Sequence, residues 1–260
     1  KYLKPKPLLD TYKEKWNELE TALDGIDIDD YYLHIFRCYE GDGNTKKEQL
    51  FEATKKILQL GTKEGIVKFF DFFTKYGRMY YNIVNAVGEG IEKEVYDYFK
   101  LKINRQIRPV LLMLKVKKDT QVISEELYER CMIYLRNFFI AFNLDNNTSN
   151  KIELDVANLS YRILVSEYAS EVEKNVLSFL LKFDVYFKEK DVLTKGIDNI
   201  VYTNRSTRKN VSSRLIVYLF KPLILDVETN AFANYDFEDF NVEHILNDSN
   251  NENVYYSIGN

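Results

Sequence analysis

The sequence predicts a mainly α-helical protein, an irregular helical bundle that ends in a short C-terminal β-hairpin. Three observations predict this class. Apolar residues make up 45% of the 260 positions, enough to bury one large core or two modest ones. Chain breakers are scarce, with 4 Pro and 10 Gly against 20 Tyr and 17 Phe, which favours long elements over a turn-rich sandwich. Apolar residues recur at helical spacing along most of the chain and alternate strictly only near its end.

The elements follow in order. Lys1 to Leu9 holds two of the four prolines and reads as a linker. Trp16, Leu19 and Leu23 share one face of a helix over Thr11 to Leu23 that stops near Gly25. The acidic cluster Asp27 to Asp30 precedes Tyr31-Tyr32-Leu33-His34-Ile35-Phe36 and suits the positive end of a helix. After the loop Gly41 to Asn44, Thr45 and Glu48 have the spacing of a capping box, opening a helix that runs to about Gly61. Thr62 can cap the next helix, where Ile66, Phe69, Phe70, Phe73 and Tyr76 form an aromatic stripe that belongs in a core.

Gly88-Glu89-Gly90 reads as a turn, lacking the lysine and hydroxyl that complete a phosphate loop. Further helical patterns cover Gly90 to Gln106, Pro109 to Lys117 and Glu125 to Asn143. The last has Ser124 as its cap and Leu127, Cys131, Leu135, Phe138 and Phe142 on one side, which makes Cys131 a small buried hydrophobe. A polar break at Asp145 to Asn150 separates it from one or two helices over Glu153 to Phe183. No internal repeat is visible.

Bulk properties narrow the function classes. A net charge of −4 offers no global attraction to a polyanion, so contact with nucleic acid would need a local basic surface. The densest such patch is Arg205-Ser206-Thr207-Arg208-Lys209, followed by Arg214. These four cations, Arg205, Arg208, Lys209 and Arg214, are the candidate phosphate contacts, although a solvated surface gives the same pattern. Cys38 and Cys131 stand far apart without a CxxC, which suits a reducing, cytoplasmic compartment. No apolar run reaches the roughly 18 residues that span a bilayer. A first residue that is Lys and not Met leads us to expect an internal fragment of a longer protein.

Many hydrolytic mechanisms use an imidazole, and the chain has 2 histidines. His34 lies in an aromatic helical run and reads as a core or interfacial residue. His244 has a different setting. Phe240, Val242, His244 and Leu246 alternate with Asn241, Glu243 and Ile245, so the segment forms a short strand. The polar loop Asn247 to Asn253 and a second strand over Tyr255 to Asn260 complete a hairpin. A one-metal nuclease hairpin needs a base to activate water, an adjacent ligand for a divalent ion and an amide to orient the base. Glu243, His244 and Asn260 supply these residue types.

The stretch Asn241-Val242-Glu243-His244-Ile245-Leu246, with Ile258-Gly259-Asn260 downstream, resembles the start of the C-terminal nuclease domain of GmrSD-type modification-dependent restriction enzymes. The run Arg208 to Leu225 is similar to the arginine-led helix that precedes the motif in that family. A softer likeness extends over Asp29 to Phe36 and Leu50 to Tyr81, so the resemblance covers most of the chain while its specific part is the C-terminal quarter.

It implies a helical middle domain over 1–200 and the N-terminal part of an HNH nuclease-like domain, a partial and truncated ββα-metal motif, over 201–260. By the same resemblance His244 is the general base, Asn260 the asparagine of the second strand and Glu243 a metal ligand. The divalent ion, Mg or Mn, belongs to the intact parent, and the fragment alone is expected to bind none and to have little nuclease activity. Expected partners are DNA, an N-terminal nucleotidase domain and the rest of the nuclease domain; no membrane is expected, and a homo-oligomer is left open. Asn247 stands where the family often has proline, and the chain stops at Asn260, before the helix that brings the last metal-binding residue. The competing classes are a non-catalytic helical interaction or scaffold module and a nucleic-acid-binding module.

Overall fold

A computed structural model describes residues 6–60, 62–102, 104–145, 149–182 and 218–219. The chain divides into two units, Lys1–Asn199 and Ile200–Asn260, and ten α-helices of the described residues lie in the first. They are α1 (Lys6–Leu23), α2 (Ile28–Glu40), α3 (Leu50–Leu60), α4 (Lys63–Lys75), α5 (Gly77–Asn85), α6 (Gly90–Lys102), α7 (Arg108–Asp119), α8 (Glu125–Leu144), α9 (Glu153–Val165) and α10 (Ala169–Leu180). The mainly helical class expected from periodicity holds, with no strand among the described residues. The expected hairpin at 240–260 lies outside them.

Helix α7 is the axis of the unit. Val110, Leu111, Leu112, Met113 and Leu114 are all 0% exposed, so this helix is apolar around its whole circumference, as a central element must be. Helices α2, α5, α8 and α9 pack on it. Helix α1 lies against α4 and α5, while α6 pairs with α8 and α10 leans on α8 and α9. Arg130 meets Glu173 at 2.8 Å and the Phe138 and Phe179 rings are 5.1 Å apart, so α8 and α10 run parallel.

Local chemistry sets most boundaries. Asp27 caps α2 by accepting the Asp29 amide at 2.9 Å, and Gly41, at φ +68, closes it with an amide bonded to the Arg37 carbonyl at 2.9 Å. Thr62 caps α4 through the Gly65 amide at 3.2 Å, and Ser124 caps α8 through the Leu127 amide at 3.2 Å. Phe73 is the hub of the expected aromatic stripe, packed against Trp16, Tyr31 and Tyr32.

Four boundaries differ from the sequence reading, the first being that α1 begins at Lys6, inside the stretch Lys1 to Leu9 read as a linker. Thr45 and Glu48 form no capping box, because the Thr45 hydroxyl and the Asn44 amide both turn to the Asp42 carboxylate. The Lys46 amide is instead satisfied by Gln49 Oε1 at 3.1 Å. The stripe of α4 breaks at Tyr76, and a separate helix α5 begins at Gly77. A Cβ on Gly77 would stand 2.7 Å from Leu19 Cδ1 and 3.3 Å from the Ala22 Cβ, so glycine there accommodates the close approach of α1. Helix α6 ends at Lys102, and a 3-10 turn, Arg105–Ile107, leads into α7. The Glu153 to Phe183 pattern, read as one or two helices, is two, α9 and α10, parted by the extended backbone of Ser166, with Phe183 outside the described residues.

Candidate functional site

Glu243, His244 and Asn260, and the cations Arg205, Arg208, Lys209 and Arg214, lie outside the described residues. The described residues hold the other histidine, both cysteines and two buried polar clusters.

The first cluster is centred on His34, in the middle of α2 and 4% exposed. Its Nδ1 lies 2.6 Å from the Tyr80 hydroxyl on α5. The positive charge of Arg108, at the start of α7, acts on the Tyr80 hydroxyl. Between a neutral imidazole and a hydroxyl either group can donate, so the contact is satisfied in either tautomer. Burial, and then the positive charges of Arg108, Arg37, Arg105 and Lys47, hold His34 well below its ordinary value of 6.5. Burial pushes Tyr80 up to about 12. A ring that is sealed and neutral cannot exchange protons with a water-borne substrate, so His34 is a core histidine, as its aromatic setting indicates.

The cysteines are equally inert. Cys38 and Cys131 are both buried, at 0% and 2% exposure. Burial pushes the thiols up to about 12 and about 11 respectively, far from the thiolate that a nucleophile or metal ligand requires.

The second cluster was not legible in the sequence. Glu92, on the first turn of α6, receives the Tyr128 hydroxyl at 2.8 Å, the Tyr96 hydroxyl at 3.1 Å and Lys115 Nζ at 2.9 Å, all on Oε1. Burial works against its charge, but the Lys115 ammonium and the two hydroxyls prevail and hold Glu92 below its ordinary value of 4.5. Both tyrosines are at most 1% exposed. The only local signal was the one-turn spacing of Glu92 and Tyr96, which is too common to single out. This cluster joins α6, α7 and α8, and its tyrosines are raised mainly by burial, so it acts as a polar pin and not as an acid-base pair.

A third buried charge, Arg37 of α2, has a side chain 5% exposed and meets Glu153 of α9 at 2.5 Å. Its Nε has no hydrogen-bond partner. Among the described residues no three of His, Cys, Asp and Glu gather in a way that could hold a metal ion, and Glu243, the ligand named by the resemblance, lies outside them. No helix of the described residues is long and apolar enough to cross a membrane.

Comparison with models of protein families, with characterised proteins and with solved structures returned no match.

Proposed function

We propose that the chain is part of a metal-dependent DNA endonuclease of the HNH type, acting in restriction of foreign or modified phage DNA, with the helical unit as the scaffold ahead of the nuclease segment. The observation that carries this reading is the segment Asn241-Val242-Glu243-His244-Ile245-Leu246 followed by Ile258-Gly259-Asn260.

In this reading His244 takes a proton from the attacking water, Asn260 orients the imidazole, and Arg205, Arg208, Lys209 and Arg214 hold phosphates. A divalent ion, Mg or Mn, held partly by Glu243 in the intact parent, would offset charge on the scissile phosphate. The cellular setting is the cytoplasm, where incoming DNA is met and thiols remain reduced.

The test is DNA cleavage by the parent protein supplied with magnesium or manganese, compared with its His244→Ala variant. Cleavage that disappears in the variant supports the assignment, and cleavage that survives removes it.

A further inference from the structure

Helix α9 carries apolar residues on two sides. Its inner face, Val156, Ala157, Leu159, Ser160 and Ile163, is buried against α2 and α7. Leu154, Tyr161 and Val165 on the opposite side are 45%, 39% and 54% exposed, and Asn158 lies half-buried among them. The four residues are spaced by four, three and four positions, which is the stripe by which one helix packs along another. The neighbouring loop touches the stripe, with Gly41 against the Tyr161 side chain and Gly43 against the Leu154 backbone, and Leu154, Tyr161 and Val165 keep their exposure beside it.

We infer that this stripe is a self-docking surface, on which α9 of a second copy of the chain packs antiparallel about a two-fold axis. Charge and hydrogen bonding select that occupant. Centring the axis between Asn158 and Tyr161 places Leu154 opposite the second copy's Val165, and Asn158 opposite the second copy's Tyr161. A single asparagine in an otherwise apolar seam fixes register, because only one alignment gives its carboxamide a polar partner. Here that partner is the tyrosine hydroxyl, which can bond a carboxamide as donor or acceptor.

The charges agree with the same register. In an antiparallel pair the residues that follow the d-type positions meet their equivalents on the other helix. Those residues are Asp155 and Arg162, so Asp155 of each copy stands against Arg162 of the other, giving two equivalent ion pairs. Arg162 is exposed and makes no ion pair among the described residues. Asp155 also meets Lys182 within its own chain, and a carboxylate accepts from both cations. The 13 residues of α9 give a seam about 20 Å long, so the dimer is a weak one, to be sought at tens to hundreds of micromolar protein. The inference is independent of the nuclease reading.

Sedimentation equilibrium of the full chain across that concentration range tests it, with circular dichroism melts confirming that each variant folds. The chain is expected to self-associate, and V165E to weaken association by about tenfold or more. D155K and R162E should each weaken it as well, because each opposes like charges on both sides of the axis. An equimolar mixture of D155K and R162E should associate better than either alone, since the mixed pair again matches opposite charges twice. A monomer throughout, a dimer indifferent to V165E, or a mixture no stronger than its two components overturns the proposal.

Discussion

The Tyr80 hydroxyl lies 2.6 Å from His34 Nδ1 and fixes a neutral imidazole at the junction of α2, α5 and α7. Removing that hydroxyl leaves a buried ring nitrogen without its hydrogen-bond partner. Tyr80→Phe is expected to lower stability by about 1–2 kcal/mol, measured by urea denaturation, while the far-ultraviolet helical signal stays unchanged. Stability equal to that of the native chain would show that the contact contributes nothing.

The same ring gives a pH dependence with a definite sign. In the unfolded chain His34 titrates near its ordinary value of 6.5, and in the folded chain it titrates well below. Between those values the unfolded state binds a proton that the folded state refuses. Stability therefore declines as pH falls from about 6.5, and the decline ends only below the depressed folded value. The carboxylates held low, Glu92, Asp27 and Asp42, contribute stability above their ordinary values, which are 4.5 or less, and lose it at lower pH still. Between about pH 7.5 and 5 the histidine lowers the melting temperature as pH falls, while Glu40, raised by burial, works in the opposite sense, and the flattening expected in His34→Gln measures the share of His34.

The Glu92 pin couples three helices. Tyr128→Phe is expected to cost about 1 kcal/mol and Glu92→Ala about 2–3 kcal/mol, with the double variant costing less than the sum. A double-mutant cycle by chemical denaturation measures this coupling, and strict additivity would mean that the hydroxyl and carboxylate act separately.

Much of this fold is legible in the sequence because local chemistry sets it. Thr62 and Ser124 begin their helices by side-chain caps, and Leu127, Leu135 and Phe142 lie on the buried side of α8 as their spacing requires. Elsewhere a longer-range or competing contact decides. Gly77 lies where α1 approaches closely, a contact that no local spacing reveals, and Thr45 abandons a capping role because Asp42 offers a carboxylate three residues away. The Glu92 cluster draws on three helices, and no spacing within one segment announces it. Of the candidate chemistry, the apolar neighbours of His34 already separate it from a catalytic role. The residues proposed to act, from Arg205 to Asn260, lie outside the described residues.

Gly43 offers a test of packing by a single methyl group. A Cβ there would stand 2.6 Å from Leu154 Cα, a backbone atom of α9 that cannot yield. Gly43→Ala is expected to destabilise the protein by about 1–3 kcal/mol. Gly65→Ala, whose Cβ would meet only Thr62 Oγ1 at 3.6 Å, should stabilise it by about 0.4–1 kcal/mol. Thermal melts of the two variants should move in opposite directions.

Glu153→Gln removes the charge that faces buried Arg37, whose side chain is 5% exposed. With Glu153 itself about one-third open to solvent, the expected loss is roughly 1–3 kcal/mol, and Arg37→Met, which removes the cation while keeping its bulk, should be better tolerated. A larger loss for the methionine variant would overturn the ordering.

The shielding of Cys38 and Cys131 has a practical consequence. A maleimide dye added to the native protein should leave both untouched, so a cysteine engineered on the surface can carry a spectroscopic reporter in an otherwise natural background. Should either native sulfur begin to take up dye, its rate would count how often the helices part.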